Sequence, residues 1–171
     1  MRLLGLDPGL RRTGWGVILA EGSRLSHLGN GVISTKDKAP IAERLAALHD
    51  GLMAIIDEYK PDEAAIEATF VNTNANSTLK LGMARGAVML APARIGLPVA
   101  EYAPNLVKKS IVGAGHAEKA QVERMVRILL PGCIIAGSDA ADALAIAICH
   151  AHHRASRKRW EAGAARLEGR L

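Results

Sequence analysis

Two short apolar runs in this chain each end on an acidic residue, and a third apolar stretch opens with two. Residues 3–6 lead into Asp7, residues 64–66 lead into Glu67, and Asp139 and Asp142 open the stretch 140–148. The first two runs read as buried strands, and the third, apolar all round, as a helix inside the fold. Four carboxylates are thereby tied to core elements. A lone buried carboxylate protonates rather than staying charged, so such groups need a partner or a metal. Four of them at one point form an oxygen donor set for hard divalent cations. That is the arrangement used for two-metal phosphodiester chemistry.

The remaining pattern supplies the scaffold. Strands are expected over 3–7, 14–19, 25–34, 62–67 and 97–102, with Pro8-Gly9 breaking the first and Glu21-Gly22-Ser23 turning the second into the third. Ile41, Leu45, Leu48, Leu52, Ile55 and Tyr59 recur at three and four residues, which gives a helix over 41–59 that Pro61 stops. Further helices are expected over 77–95, with a kink or end at Pro92, and over 104–110, 117–130 and 139–153. Strands first, then strands alternating with helices, imply a mixed α/β sheet. The 171 residues suit one domain, over 1–155, followed by a basic, flexible or loosely helical tail over 156–171.

Hydrophobic residues make up 49% of the chain, which excludes disorder, while aromatics are only 3%, so Ala, Leu, Ile and Val must fill the core. The net charge of +5 points to an anionic partner. Cys133 and Cys149 form no C-x-x-C pair and read as free thiols in a reducing compartment. The N-terminus starts directly on a strand pattern, without a signal peptide. No apolar run approaches the ~20 residues that span a bilayer. A cytoplasmic protein without membrane association is expected.

Each candidate site has an ordinary reading beside the functional one. Asp139 and Asp142 share a helix face behind the natural N-cap Ser138, where acids also simply complement the helix dipole. Asp7-Pro8-Gly9 could be only a turn; it gains meaning if the strands ending on Asp7 and Glu67 are neighbours with both acids at one end. Phe70, the single phenylalanine, precedes the polar run 72–76. It could stack on an unpaired base or anchor a loop. Lys80, Arg85, Lys108, Lys109 and Lys119 are phosphate contacts or solvated charges. The loop Gly113-Ala114-Gly115 ahead of a helix could receive a phosphate. Cys149, His150, His152 and His153 fit no standard zinc spacing.

Taken in order, Gly5-Leu6-Asp7-Pro8-Gly9, Thr13-Gly14-Trp15-Gly16-Val17, Ala65-Ile66-Glu67, Leu79-Lys80-Leu81-Gly82, Ala84-Arg85-Gly86, Val112-Gly113, Ala117-Glu118-Lys119 and residues 139–145 resemble the RuvC family of Holliday junction resolvases over roughly residues 2–155. The resemblance implies an RNase H-like fold, with a mixed five-stranded sheet flanked by helices. It implies a homodimer that nicks opposing strands of a four-way DNA junction, in recombination and repair, alongside the RuvA–RuvB branch-migration machine. The family's four acids fall on Asp7, Glu67, Asp139 and Asp142; some members carry His where this chain has Asp139. The base-stacking aromatic falls on Phe70 and the functional lysines on Lys108 and Lys119, with Lys109 adjacent to the first. Two Mg²⁺ per subunit, replaceable by Mn²⁺, are implied, Asp7 shared between them, with 5′ phosphate and 3′ hydroxyl products. Three other readings compete: another RNase H-like nuclease, a non-catalytic junction-binding module, and an actin-like ATPase, for which the chain has no second lobe.

Overall fold

The computed structural model describes residues 1–68 and 74–168, the segment 155–168 as helix backbone only. Its strands are β1 (Arg2–Asp7), β2 (Arg12–Glu21), β3 (Arg24–Ser34), β4 (Glu63–Glu67) and β5 (Val99–Tyr102). They form one sheet in the order β3-β2-β1-β4-β5. β1 pairs antiparallel with β2, and β2 with β3, while β4 joins β1 and β5 joins β4 in parallel. Parallel pairs need crossover connections, and helices supply them. α1 (Ile41–Tyr59) runs between β3 and β4, and α2 (Ala75–Arg94) between β4 and β5. α3 (Pro104–Val112), α4 (Lys119–Leu129) and α5 (Ser138–Glu168) follow.

Side-chain alternation divides the core into two layers. Leu4, Leu6, Val17, Ala64 and Ile66 pack toward α1 and α2, against Leu52, Ile55, Ile56 and Val88. Leu3, Ile18 and Ala65 pack toward α3, α4 and α5, against Val107, Val122, Val126, Leu144 and Ile148. The aromatic-poor composition is thus resolved by many small contacts. Ala140, Ala141 and residues 143–148 of α5 are all buried, as their all-round apolar pattern requires.

The small residues let α5 lie almost on the sheet backbone. A Cβ added to Gly5 would stand 2.0 Å from the carbonyl oxygen of Ala143, and one added to Gly14 would stand 2.0 Å from that of Asp139. Only glycine permits such an approach.

The expected strands and helices are all present, with shifted ends. α1 matches at both ends; Lys60 closes it in the left-handed region, φ 47°, donating its N–H to the Ile56 carbonyl ahead of Pro61. α2 tolerates Pro92 near its end and stops two residues later, at Arg94. α5 does not end at residue 153 but continues to Glu168. The segment beyond 153 is rich in Ala, Arg, Lys and Glu, strong helix formers, and lacks proline. Among the described residues, no helix is long and apolar enough to cross a membrane.

Candidate active site

β1 and β4 run in register from Leu3 opposite Glu63 to Leu6 opposite Ile66. The next step brings Asp7 and Glu67 to the same end of adjacent strands. Asp7 shares its face with Leu3 and Gly5, and Glu67 shares its face with Ala65, so both acids lie on the α5 side. The first turn of α5, brought to β2 by Gly14, carries Asp139 and Asp142 to that side. Four residues from three elements, up to 135 positions apart in sequence, thereby share one region.

The geometry inside that region is uneven. A pocket of about 270 Å³ is bordered by Asp7, Glu67, Asp142, Lys108 and Lys119. Lys119 Nζ donates to Asp142 Oδ2 at 3.0 Å. Asp139 does not border the pocket; Arg12 Nε lies 2.7 Å from its Oδ2.

Charge crowding is concentrated on Asp7. Its carboxyl is pushed from 3.8 up to about 7, mainly by burial, then by the charges of Asp142, Glu67 and Asp139, with Lys119 opposing. Glu67 is raised too, by burial and by Asp142, against the pull of Lys108 and Lys119. Lys119 is raised by its hydrogen bond to Asp142 and by that group's charge. Among the described residues no basic side chain pairs directly with Asp7.

This donor set fits divalent cations. It is all carboxylate oxygen, the choice of hard ions. Its central member holds a pKa raised by burial and by three neighbouring acids, a crowding of charge that a cation would relieve. Among the described residues no three acidic, His or Cys side chains stand close enough to hold an ion as they are. The physical reason is visible: like charges repel, and Arg12 and Lys119 each draw one aspartate to themselves. Asp7, Glu67 and Asp142 would hold the ions from the pocket.

The other expected residues separate by location. Lys108 borders the acid pocket, whereas its neighbour Lys109 is exposed and does not. Lys80 lines a different, larger cleft with Arg11, Arg12 and Arg44. Arg85 reaches neither cleft; its guanidinium is ion-paired to Glu101, tying α2 to β5. Phe70 lies outside the described residues. The N-terminus of α4, after the glycine loop, is closed by a capping box between Glu118 and Gln121, which occupies N–H groups that a phosphate would need. His150 is buried, with Nδ1 2.8 Å from the Tyr102 hydroxyl and Nε2 2.9 Å from Glu63, and the Cys149 thiol is pushed by burial up to about 11. These are core groups. Arg12 is the residue that sequence reasoning missed, because its contact depends on how closely α5 approaches β2.

Comparison with known proteins identifies the family. The family described as "Crossover junction endodeoxyribonuclease RuvC" matches residues 3–150. A protein of that name from Paramagnetospirillum magneticum is 61% identical, over 97% of this chain and 100% of its own length. Another, from Rhodospirillum rubrum, is 63% identical over 91% of this chain and 92% of its own. Among solved structures, Thermus thermophilus RuvC in complex with a Holliday junction substrate is 35% identical, with a TM-score of 0.84, over 91% of this chain and 96% of that one. The yeast mitochondrial Holliday junction resolvase Ydc2 shares the fold, at 15% identity and a TM-score of 0.69, over 96% of this chain and 83% of that one. With the family match spanning both acid-bearing strands and the first turns of α5, the chain belongs to the RuvC family of crossover junction endodeoxyribonucleases.

Proposed function

We propose that this protein is a structure-selective endodeoxyribonuclease that resolves four-way DNA junctions by paired nicks during recombination and repair. The observation that carries the reading is the meeting of Asp7, Glu67 and Asp142 around one pocket with Lys108 and Lys119, with Asp139 one helical turn away. Divalent cations, in this reading two Mg²⁺ or Mn²⁺ per subunit, supply the Lewis acidity of phosphodiester hydrolysis when bound. The chain's own residues do the rest. Asp7 and its neighbours would hold the ions. Lys108 and Lys119 draw the scissile phosphate toward the acids. The products are a 5′ phosphate and a 3′ hydroxyl. The presence of all four acids favours this over a non-catalytic binding module, whose mark would be the loss of one.

The test is cleavage of a synthetic four-way junction with Mg²⁺, each strand labelled in turn, beside linear duplex. Symmetric paired nicks on the junction alone are expected. Binding without nicks, with every cation tried, overturns the assignment in favour of a binding module.

Phe70 is assigned to base stacking at the opened junction. Phe70→Ala should slow cutting by roughly five- to 150-fold, since stacking on one base is worth ~1–3 kcal/mol. Fluorescence of 2-aminopurine placed at the crossover checks it: the variant should leave that base stacked in the duplex.

A homodimer suits a two-fold junction. Leu79, Met83, Gly86 and Leu90 recur along α2 at four, three and four residues, and all are exposed. A second copy of the chain is proposed to cover them. Leu90→Glu should sediment as a monomer and lose paired nicking; a dimer of unchanged affinity would place the interface elsewhere. Partnership with the RuvA–RuvB machine and a cytoplasmic location complete the reading by family.

A further inference from the structure

Asp139 is the one acid of the four that does not border the pocket, and Arg12 is what holds it. The pair is set by the fold rather than by a loose side chain. Arg12 lies on the same face of β2 as Gly14 and Gly16, the face against which α5 packs, and its guanidinium also passes over Gly137. It is a surface contact: the Arg12 side chain is 58% exposed and that of Asp139 27%. Arg12 also lines an open cleft of about 800 Å³ together with Arg11, Arg44 and Lys80. Among the described residues Asp37 is the single acid that lines it, against four basic residues. Arg44 is held rigidly, with Nε donating to Thr35 Oγ1 at 2.9 Å and Nη2 to the Leu10 carbonyl at 3.2 Å. The cleft's charge and open shape suit a phosphodiester backbone. The Arg12–Asp139 pair therefore connects a basic cleft to the helix turn that supplies Asp142 to the acid pocket.

We propose that Arg12 is a latch on Asp139 that DNA opens. A backbone phosphate entering the basic cleft takes the guanidinium, Asp139 is released toward the acid pocket, and cation affinity rises. The exchange is inexpensive, because an exposed ion pair contributes little, whereas a phosphate accepts two N–H groups of the guanidinium fork at once. Coupling of this kind is reciprocal, so cations tighten junction binding by the same factor. Arg12 is a positioning residue; it touches neither the ions nor the bond that breaks. The inference rests on the reading of the acid pocket as a cation-dependent nuclease site.

The test is Mn²⁺ binding to the full chain, free Mn²⁺ being followed by electron paramagnetic resonance, with and without a synthetic four-way junction. Junction DNA should tighten Mn²⁺ binding to the wild type. Arg12→Ala should bind Mn²⁺ roughly five-fold tighter without DNA, and the DNA-dependent gain should shrink by the same factor. The slope of log K against log salt for junction binding should become shallower by about 0.9, one phosphate contact. Asp139→Asn separates the latch from a general effect of removing a positive charge: in that background Arg12→Ala should leave Mn²⁺ affinity unchanged. An unchanged Mn²⁺ affinity in Arg12→Ala, or a gain that persists with Asp139→Asn, overturns the latch. Asp142→Asn tests the reading beneath it. If that variant binds Mn²⁺ as the wild type does, the acid pocket does not hold the ion, and both fall. If it loses the ion while Arg12→Ala has no effect, the latch alone falls.

Discussion

Asp7→Asn should abolish junction cutting, leave junction binding nearly intact, and stabilise the cation-free protein at pH 8. The first and third effects both follow from the loss of one crowded carboxylate. Asp7 is half-buried among Glu67, Asp139 and Asp142, and its carboxyl is pushed up to about 7 in the fold against 3.8 ordinarily. Between those values the folded chain holds a proton that the unfolded chain has released, so stability falls as pH rises through this window. The cost is absent below about pH 4 and complete above pH 7, where three pH units amount to ~4 kcal/mol as an upper figure. Asparagine carries no charge and escapes that cost, although its amide still loses water on burial. The stability difference between variant and wild type should therefore be largest at pH 8 and vanish toward pH 4. Denaturant unfolding in EDTA at several pH values measures it. Adding divalent cation should narrow the gap by stabilising only the wild type. Junction binding persists because the lysines supply most of the phosphate attraction. A variant no more stable at pH 8, or one that still cuts at the wild-type rate, would remove Asp7 from the centre of the site.

Gly14→Ala should be nearly as damaging without touching any charge. The added methyl would stand 2.0 Å from the Asp139 carbonyl oxygen, a backbone atom that cannot rotate away. Relief requires α5 to lift from β2, an overpacking cost of ~1–3 kcal/mol. The same lift moves Asp139 and Asp142 relative to Asp7 and Glu67. A displacement of ~1 Å in a positioned site costs about a hundred-fold in rate. The expected result is a folded protein, lower in Tm, that binds junctions and cuts them at about one hundredth of the wild-type rate. Gly5→Ala acts one turn further along α5, against Ala143, and should show a similar stability loss. Full activity in a folded Gly14→Ala protein would show that α5 can shift freely, contrary to its buried packing.

Much of the fold was legible because its signals are local. α1 announced itself by apolar spacing and by Pro61, and its bounds were read correctly at both ends. The all-round apolar stretch after Asp139 correctly implied a buried helix. That Asp7 and Glu67 each end a core strand was readable from the apolar runs before them, as was the pairing of Asp139 with Asp142 on one helix turn. The far end of α5 was not, since charged helix formers look alike in a solvated helix and in a tail.

What the tertiary structure decided concerns distance between elements, which no local pattern encodes. The parallel register of β1 and β4 put Asp7 beside Glu67. The side of α3 that faces the acids selected Lys108 over Lys109. Arg85, indistinguishable in sequence from a phosphate contact, was taken by Glu101 of β5. Above all, the close seat of α5 on Gly14 brought Asp139 within reach of Arg12, and so kept one of four acids out of the pocket that the other three share. The amino-acid sequence by itself determined which residues carry charge into the core; only the packing of strand on helix decided which of those charges meet, because Coulomb energy depends on separation in space and not along the chain.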